Sequence, residues 1–381
     1  MLCFDQEPIK FDNNLDTFKQ FDTTRNYQYS NHGTRGTHLY SNHLNDTVNF
    51  DVTVVPNKKL PVILLNTEQD SIEKNNLLNE FGYIDCYYFY HALAAIDWFR
   101  GFKYCSQITP IKERQIKKKF ISYNRITGNS RFYRALFVSA LSKKNLIDEA
   151  YVSFSKECPV HGNIAASILH IIKENNLDEH FIADELKHIS TLPNLRIDSS
   201  ESEPIENSSF TINDIQKPIE SFVNVVTETC FWETKKHLTE KIFKPIILKQ
   251  PFILLGCANN LSYLKQYGFK TFDSWWDESY DQCQDPIQRI NMVVDILENL
   301  SKLSNKQLHN MLIDMEEILE YNFQHFYSQA FVDSIWKELT INLDSAIVQA
   351  EQKNFLEILS RRRHDMPSYN IHKLSQTDKL I

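Results

Sequence analysis

The sequence predicts an α/β fold built as two domains, each around a parallel sheet. Two observations carry that expectation: short apolar runs of strand length alternate with helix-length stretches, and the series starts afresh after a basic segment near residue 111. In the first domain, 1–110, the strand candidates are MLCFD (1–5), FDVTVV (50–55) and PVILLN (61–66). The aromatic stretch YYFYHALAAIDWFRGF (87–102) reads as a helix, and the basic run 111–119 as a solvated linker.

The second domain, 111–330, opens with the strand KFISYN (119–124) and a helix whose apolar residues 132, 136, 137 and 140 share a face. Residues 162–176 and 180–190 read as further helices, and the acidic IDSSESEPIENSS (197–209) as an exposed loop. A strand at 221–227 follows, then a helix from about 239, the strand PFILLG (251–256), a helix at 260–267 and a short strand FKTF (269–272). From 285 the pattern is helical; residues 331–381 form a C-terminal helix and a tail lacking periodicity after Pro367. The late helices are free to pack back across both domains.

Composition narrows the function classes. A chain of 381 residues with 42% hydrophobic and 24% charged content belongs with globular proteins that bury a sizeable core. No apolar run approaches the roughly 18 residues of a membrane span, and MLCFDQEPIK lacks the basic start and apolar stretch of a signal peptide. These features predict a cytoplasmic protein. Seven cysteines, odd in number and scattered, predict reduced thiols. Cys158-Pro-Val-His161 has the spacing of half a zinc site, but no second pair follows. A net charge of −8 argues against a surface devoted to nonspecific nucleic-acid binding. With 8 glycines, a phosphate-binding loop here is not a glycine-rich one.

The candidate site gathers at strand ends, where open α/β sheets take ligands. Strand 119–124 ends in Asn124-Arg125, and Arg131 and Arg134 follow, offering guanidinium forks to phosphate. Strand 221–227 ends at Glu228, and Thr239-Glu240-Lys241 begins the next helix. One reading is a capped helix start: Thr239 the cap, Glu240 at the positive end of the dipole, Lys241 in solvent. The other is chemical. Glu240 can accept hydrogen bonds from vicinal ribose hydroxyls, Lys241 supplies a charge for a diphosphate, and Glu228 can bond a sugar hydroxyl. Pro245 sits too deep in that helix for a first-turn proline and predicts a kink or early end.

The ordered set Val-Val-Thr-Glu…Thr-Glu-Lys-Ile-Phe-Lys-Pro-Ile…Pro-Phe-Ile-Leu-Leu-Gly (225–256) resembles the donor-binding signature of GT-B glycosyltransferases. It is most similar to the α-1,3-fucosyltransferase-like group. Tyr-Gly-Phe-Lys-Thr-Phe…Trp-Asp-Glu-Ser-Tyr-Asp (267–281), Arg289 and the strand with Arg131 and Arg134 resemble a branch found in phage and environmental sequences. The resemblance covers about 117–330 well and the first domain loosely, and implies two Rossmann-like domains facing a cleft. It implies Glu240 on the nucleotide ribose, Lys241 and Arg125 on the diphosphate, and Glu228 near the donor sugar. The chain departs from the group at Lys244-Pro245-Ile246, where that group has Arg/Lys-Asn-Ala, and lacks its aromatic-Glu-Asn opening. The base and the sugar therefore stay open.

No Asp-x-Asp occurs, and the basic residues supply the charge a divalent ion would, so no metal and no cofactor beyond the donor is expected. An inverting transfer needs a base for the acceptor hydroxyl. Glu68, in Asn66-Thr67-Glu68-Gln69-Asp70, resembles the Glu-Ser-Pro strand end that carries the base in fucosyltransferases; Glu7 and Asp5 are the alternatives. Each also suits a turn or helix cap. The expected activity moves a sugar from a nucleotide diphosphate-sugar to a glycan or other hydroxyl acceptor. The alternatives are transfer to hydroxymethylated bases of phage DNA, with 111–119 in a groove, and a non-catalytic nucleotide- or glycan-binding protein.

Overall fold

The computed structural model describes residues 2–4, 63–158, 162–197 and 215–365. The strand expected at 50–55, Asp5, Glu7, His161, nearly all of the 197–209 loop and the tail after Pro367 lie outside the described residues.

Two parallel sheets organise the chain. In the first, Leu2–Phe4 (β1), Ile63–Asn66 (β2) and Ile84–Tyr87 (β3) lie in the order β1-β2-β3. The crossover between β2 and β3 is the helix Ile72–Phe81 (α1). Ser71 caps its start by accepting the Lys74 N–H, and Gly82, at φ 68°, closes its end in the left-handed region. β3 was not expected. Its IDCY runs straight into the aromatic stretch, whose helix is confined to Tyr90–Trp98 (α2).

The second sheet holds Lys118–Ser122 (β4), Ala150–Val152 (β5), Ser221–Thr227 (β8) and Phe252–Leu255 (β9), all parallel, in the order β5-β4-β8-β9. All seven residues of β8 are buried, as a parallel strand covered on both faces requires. Between β5 and β8 come a small antiparallel pair, Glu157–Cys158 (β6) and Gly162–Asn163 (β7), and several helices. Tyr133–Lys143 (α3) precedes β5. Ile164–Ser167 (α4), Leu169–Glu174 (α5), Glu179–Thr191 (α6) and Gln216–Ile219 (α7) follow β7. The single helix expected at 162–176 is thus β7 and two short helices.

After β8 the chain turns through Glu240–Ile242 into Phe243–Ile247 (α8). The early end that Pro245 predicts is present: α8 stops after Ile247, and Gln250 N–H returns to Pro245 O at 2.9 Å. Asn260–Gln266 (α9) follows β9. The expected strand at 269–272 is a loop. Phe269 and Phe272 are buried there, but side chains occupy its backbone: Asn322 Oδ1 accepts the Lys270 N–H and Glu278 the Phe272 N–H. Pro286–Ser301 (α10), Asn305–Asp314 (α11) and Glu316–Phe326 (α12) complete this part; α10 and α11 pack on the second sheet, and α12 on α8.

The last helix, Gln329–Asp365 (α13), returns to the first sheet and packs along β3. Asn342 Nδ2 donates to Tyr87 O at 2.7 Å. Glu338 accepts the Phe89 N–H at 3.1 Å and the Tyr267 hydroxyl at 2.9 Å. One apolar cluster runs from Leu65 and Phe89 through Phe243 to Phe326 and Ile335, so both sheets share a core.

The run 111–119 is only partly solvated, with Lys112, Glu113, Gln115 and Lys117 exposed. Arg114 is buried and donates to Thr109 O, Lys249 O and Leu248 O at 3.0, 2.8 and 2.8 Å, closing the carbonyl end of α8. Lys117 pairs with Glu220 at 2.6 Å, and Lys119 donates to Leu303 O. No described helix is long and apolar enough to cross a membrane.

Candidate functional site

The carboxyl ends of β4 and β8 are tied together by Arg134. Its guanidinium donates to Ile126 O, Thr227 O and Glu228 O at 3.2, 2.9 and 2.9 Å. This arginine is therefore committed to the backbone and is not a spare phosphate fork. Tyr133 OH also donates to Glu228 O. Asn124, just past β4, is fully buried; its N–H donates to Ser153 Oγ at 2.8 Å and its Nδ2 to Ser122 Oγ at 3.1 Å. Asn124 Oδ1 has no hydrogen-bond donor among the described residues. Arg125 and Arg131 are half-buried beyond it. Burial, then neighbouring Arg134, lowers the Arg131 guanidinium to about 10, and Arg131 lies within electrostatic reach of Cys230.

Glu228 lies beneath the Thr239-Glu240-Lys241 turn. Its carboxylate accepts the Thr239 N–H at 3.2 Å, the Thr239 hydroxyl at 2.6 Å and the Thr229 N–H at 3.2 Å. Burial raises its pKa, against the pull of Lys241 and Thr239. Thr239 in turn accepts the Lys241 N–H, as the helix-cap reading expects. The Lys241 ammonium reaches Glu240 Oε1 at 2.9 Å, Thr229 Oγ1 at 3.1 Å and Thr239 Oγ1 at 3.2 Å, with 29% of its side chain exposed. Burial pushes the Glu240 carboxyl up, but Lys241, His91 and Lys244 more than offset it and hold it at about 2. The capped turn thus holds an ionised carboxylate beside a partly exposed ammonium.

Glu68, at the end of β2, is fully buried against the second sheet's 229–239 segment. Gln69 and Lys236 exchange both backbone hydrogen bonds, at 3.0 and 2.8 Å, as an isolated antiparallel bridge. Lys235 Nζ lies 3.4 Å from Glu68 Oε1, both side chains buried, and Lys236 pairs with Asp70 at 2.8 Å. Burial raises the Glu68 carboxyl to about 7, opposed by Lys235. Lys235 remains a cation: burial works against it, and Cys230, Glu68 and Glu233 outweigh burial.

The turn and the bridge meet at two imidazoles. His91 of α2 and His237 stand edge to face with centroids 5.2 Å apart. Burial lowers His91 to about 4, with Glu240 and Lys241 within reach. His237 is fixed through its backbone, whose N–H and C=O both pair with the Asn260 side chain, at 3.1 and 2.9 Å.

Of the sequence-derived candidates, the structure joins Glu228, Thr239, Glu240 and Lys241 in one hydrogen-bonded group and sets Glu68 against the same segment. Asn124, Arg125 and Arg131 flank it at the end of β4. Sequence reasoning missed Glu233, Lys235 and His237. The one signal for them was charge among apolar neighbours in CFWETKKHL, which does not by itself reveal burial. Among the described residues, no group of three or more His, Cys, Asp or Glu could hold a metal ion. Comparison with family models, with curated proteins and with solved structures finds no match to this chain.

Proposed function

We propose that the chain is a GT-B-type glycosyltransferase, with Rossmann-like domains at 1–110 and 111–330 facing a cleft and the C-terminal helix returning to the first. It moves a sugar from a nucleotide diphosphate-sugar to a glycan or other hydroxyl acceptor. The observation that carries the reading is the turn at the end of β8: an ionised Glu240 beside a partly exposed Lys241 ammonium, held by Glu228.

In this reading Glu240 accepts the ribose hydroxyls, and Lys241 with Arg125 meets the charge of the departing diphosphate without a divalent ion. Glu68 takes the acceptor's proton in a direct displacement. A carboxyl near 7 suits a general base working around neutral pH. Lys235, 3.4 Å away, orients it.

Thermal unfolding of the parent and of Lys241→Ala with GDP, UDP, CDP, ADP and TDP tests the reading. A ligand bound only by the folded chain raises its stability by mass action. A shift with one nucleotide, lost in Lys241→Ala, is the expected result. No shift with any of them overturns the reading.

A further inference from the structure

Among the described residues, two buried carboxylate oxygens beside the bridge have no hydrogen-bond donor, Glu68 Oε2 and Glu233 Oε1, although the Ser71 hydroxyl interacts with the Glu68 carboxyl. Glu68 is 0% exposed and Glu233 8%. The other oxygen of each is engaged. Glu68 Oε1 faces Lys235, while Glu233 Oε2 accepts the Phe231 N–H at 3.1 Å, with Cys257 Sγ at 4.0 Å. Lys235 lies within electrostatic reach of both carboxylates. Thr67 Oγ1, next along from Glu68, is likewise buried without a hydrogen-bond partner among the described residues.

A buried acceptor left without a donor is costly, and a carboxylate oxygen that carries no proton can only accept. What answers these oxygens must therefore bring hydroxyl or N–H donors. The oxygens also lie just beyond β2 and β8, at the carboxyl ends of parallel strands. Thr234, between Glu233 and Lys235, is exposed.

We propose that Glu233 selects the transferred sugar, its Oε1 accepting a ring hydroxyl, with Lys235 holding Glu233 and Glu68 on either side of the reacting end. This deepens the transferase reading and rests on it. The diphosphate lies at Glu240–Lys241, and the sugar reaches from there toward Glu233.

Calorimetric titration of each nucleoside diphosphate and of one sugar conjugate of each, on the parent and on Glu233→Gln, tests the assignment. The parent is expected to bind one conjugate about tenfold or more tighter than its bare nucleotide, from one hydrogen bond to a charged group. Glu233→Gln is expected to lose that increment and keep the affinity for the bare nucleotide. An increment unchanged in Glu233→Gln, or absent from the parent, overturns the role of Glu233 and leaves the transferase reading standing. If no nucleotide binds, both fall. Should Glu233→Gln not fold, Glu233→Asp, which keeps the charge and withdraws the oxygens by one methylene, is read in the same way.

Discussion

Glu228 holds Thr239 through both the backbone N–H and the hydroxyl, at 3.2 and 2.6 Å, and so sets where Glu240 and Lys241 stand. Glu228→Ala removes a buried acceptor and strands the Thr239 and Thr229 N–H groups. The expected cost is about 2–3 kcal/mol, read as a lower urea midpoint with an unchanged slope. Nucleotide-induced stabilisation is expected to fall with it, although Glu228 itself contacts no phosphate in this reading.

Glu68 gives the stability curve a slope of its own. Its folded carboxyl is raised from 4.5 to about 7, so between those values the folded chain keeps a proton that the unfolded chain has released. Its contribution therefore falls as pH rises from about 4.5 to about 7, by about 3 kcal/mol, and is flat above. Glu68→Gln is expected to flatten that part of the curve. Urea unfolding of parent and variant at intervals from pH 4 to pH 8 measures it.

Arg114 closes α8 by donating to three backbone carbonyls from a buried position. Arg114→Ala is expected to cost about 3 kcal/mol. Arg114→Lys should recover less than half of that, because one ammonium cannot reproduce a planar fork. A full recovery in chemical unfolding would mean that charge alone, and not the fork, closes the helix.

Glu338 ties α13 to the backbone at Phe89 and to the Tyr267 hydroxyl. Glu338→Ala is expected to loosen the helix where it crosses β3 without unfolding the second sheet. Amide exchange should then quicken about tenfold at Phe89 and along α13, and stay unchanged in β8 and β9. Uniform acceleration throughout the chain would contradict this local tie.

Much of the second sheet was legible because buried parallel strands read as largely apolar runs of strand length, as in SFVNVVT and FILL. The stop at Pro245 was legible for a local reason too, since proline acts through its own ring. Other features depend on distant partners. β3 hid because its four residues adjoin an aromatic helix without a break. FKTF has strand composition, but Glu278 and Asn322 take backbone groups a neighbouring strand would need. Arg114 sat in a charge run, and nothing local announces that α8's carbonyls surround it. The turn Thr239-Glu240-Lys241 could be named from sequence; that Glu228 is spent on holding it required the fold.

The segment from Glu228 to Thr239 has a fixed length. Glu228 clamps both of its ends, Gln69 pairs with it at Lys236, and Asn260 grips both backbone groups of His237. Residues 232–235 bend between these clamps, so one added residue before Lys236 would displace Lys235 from Glu68 or break a clamp. Variation here is therefore confined to exchanging side chains, and the outward-facing Thr234 is the position with most room for it.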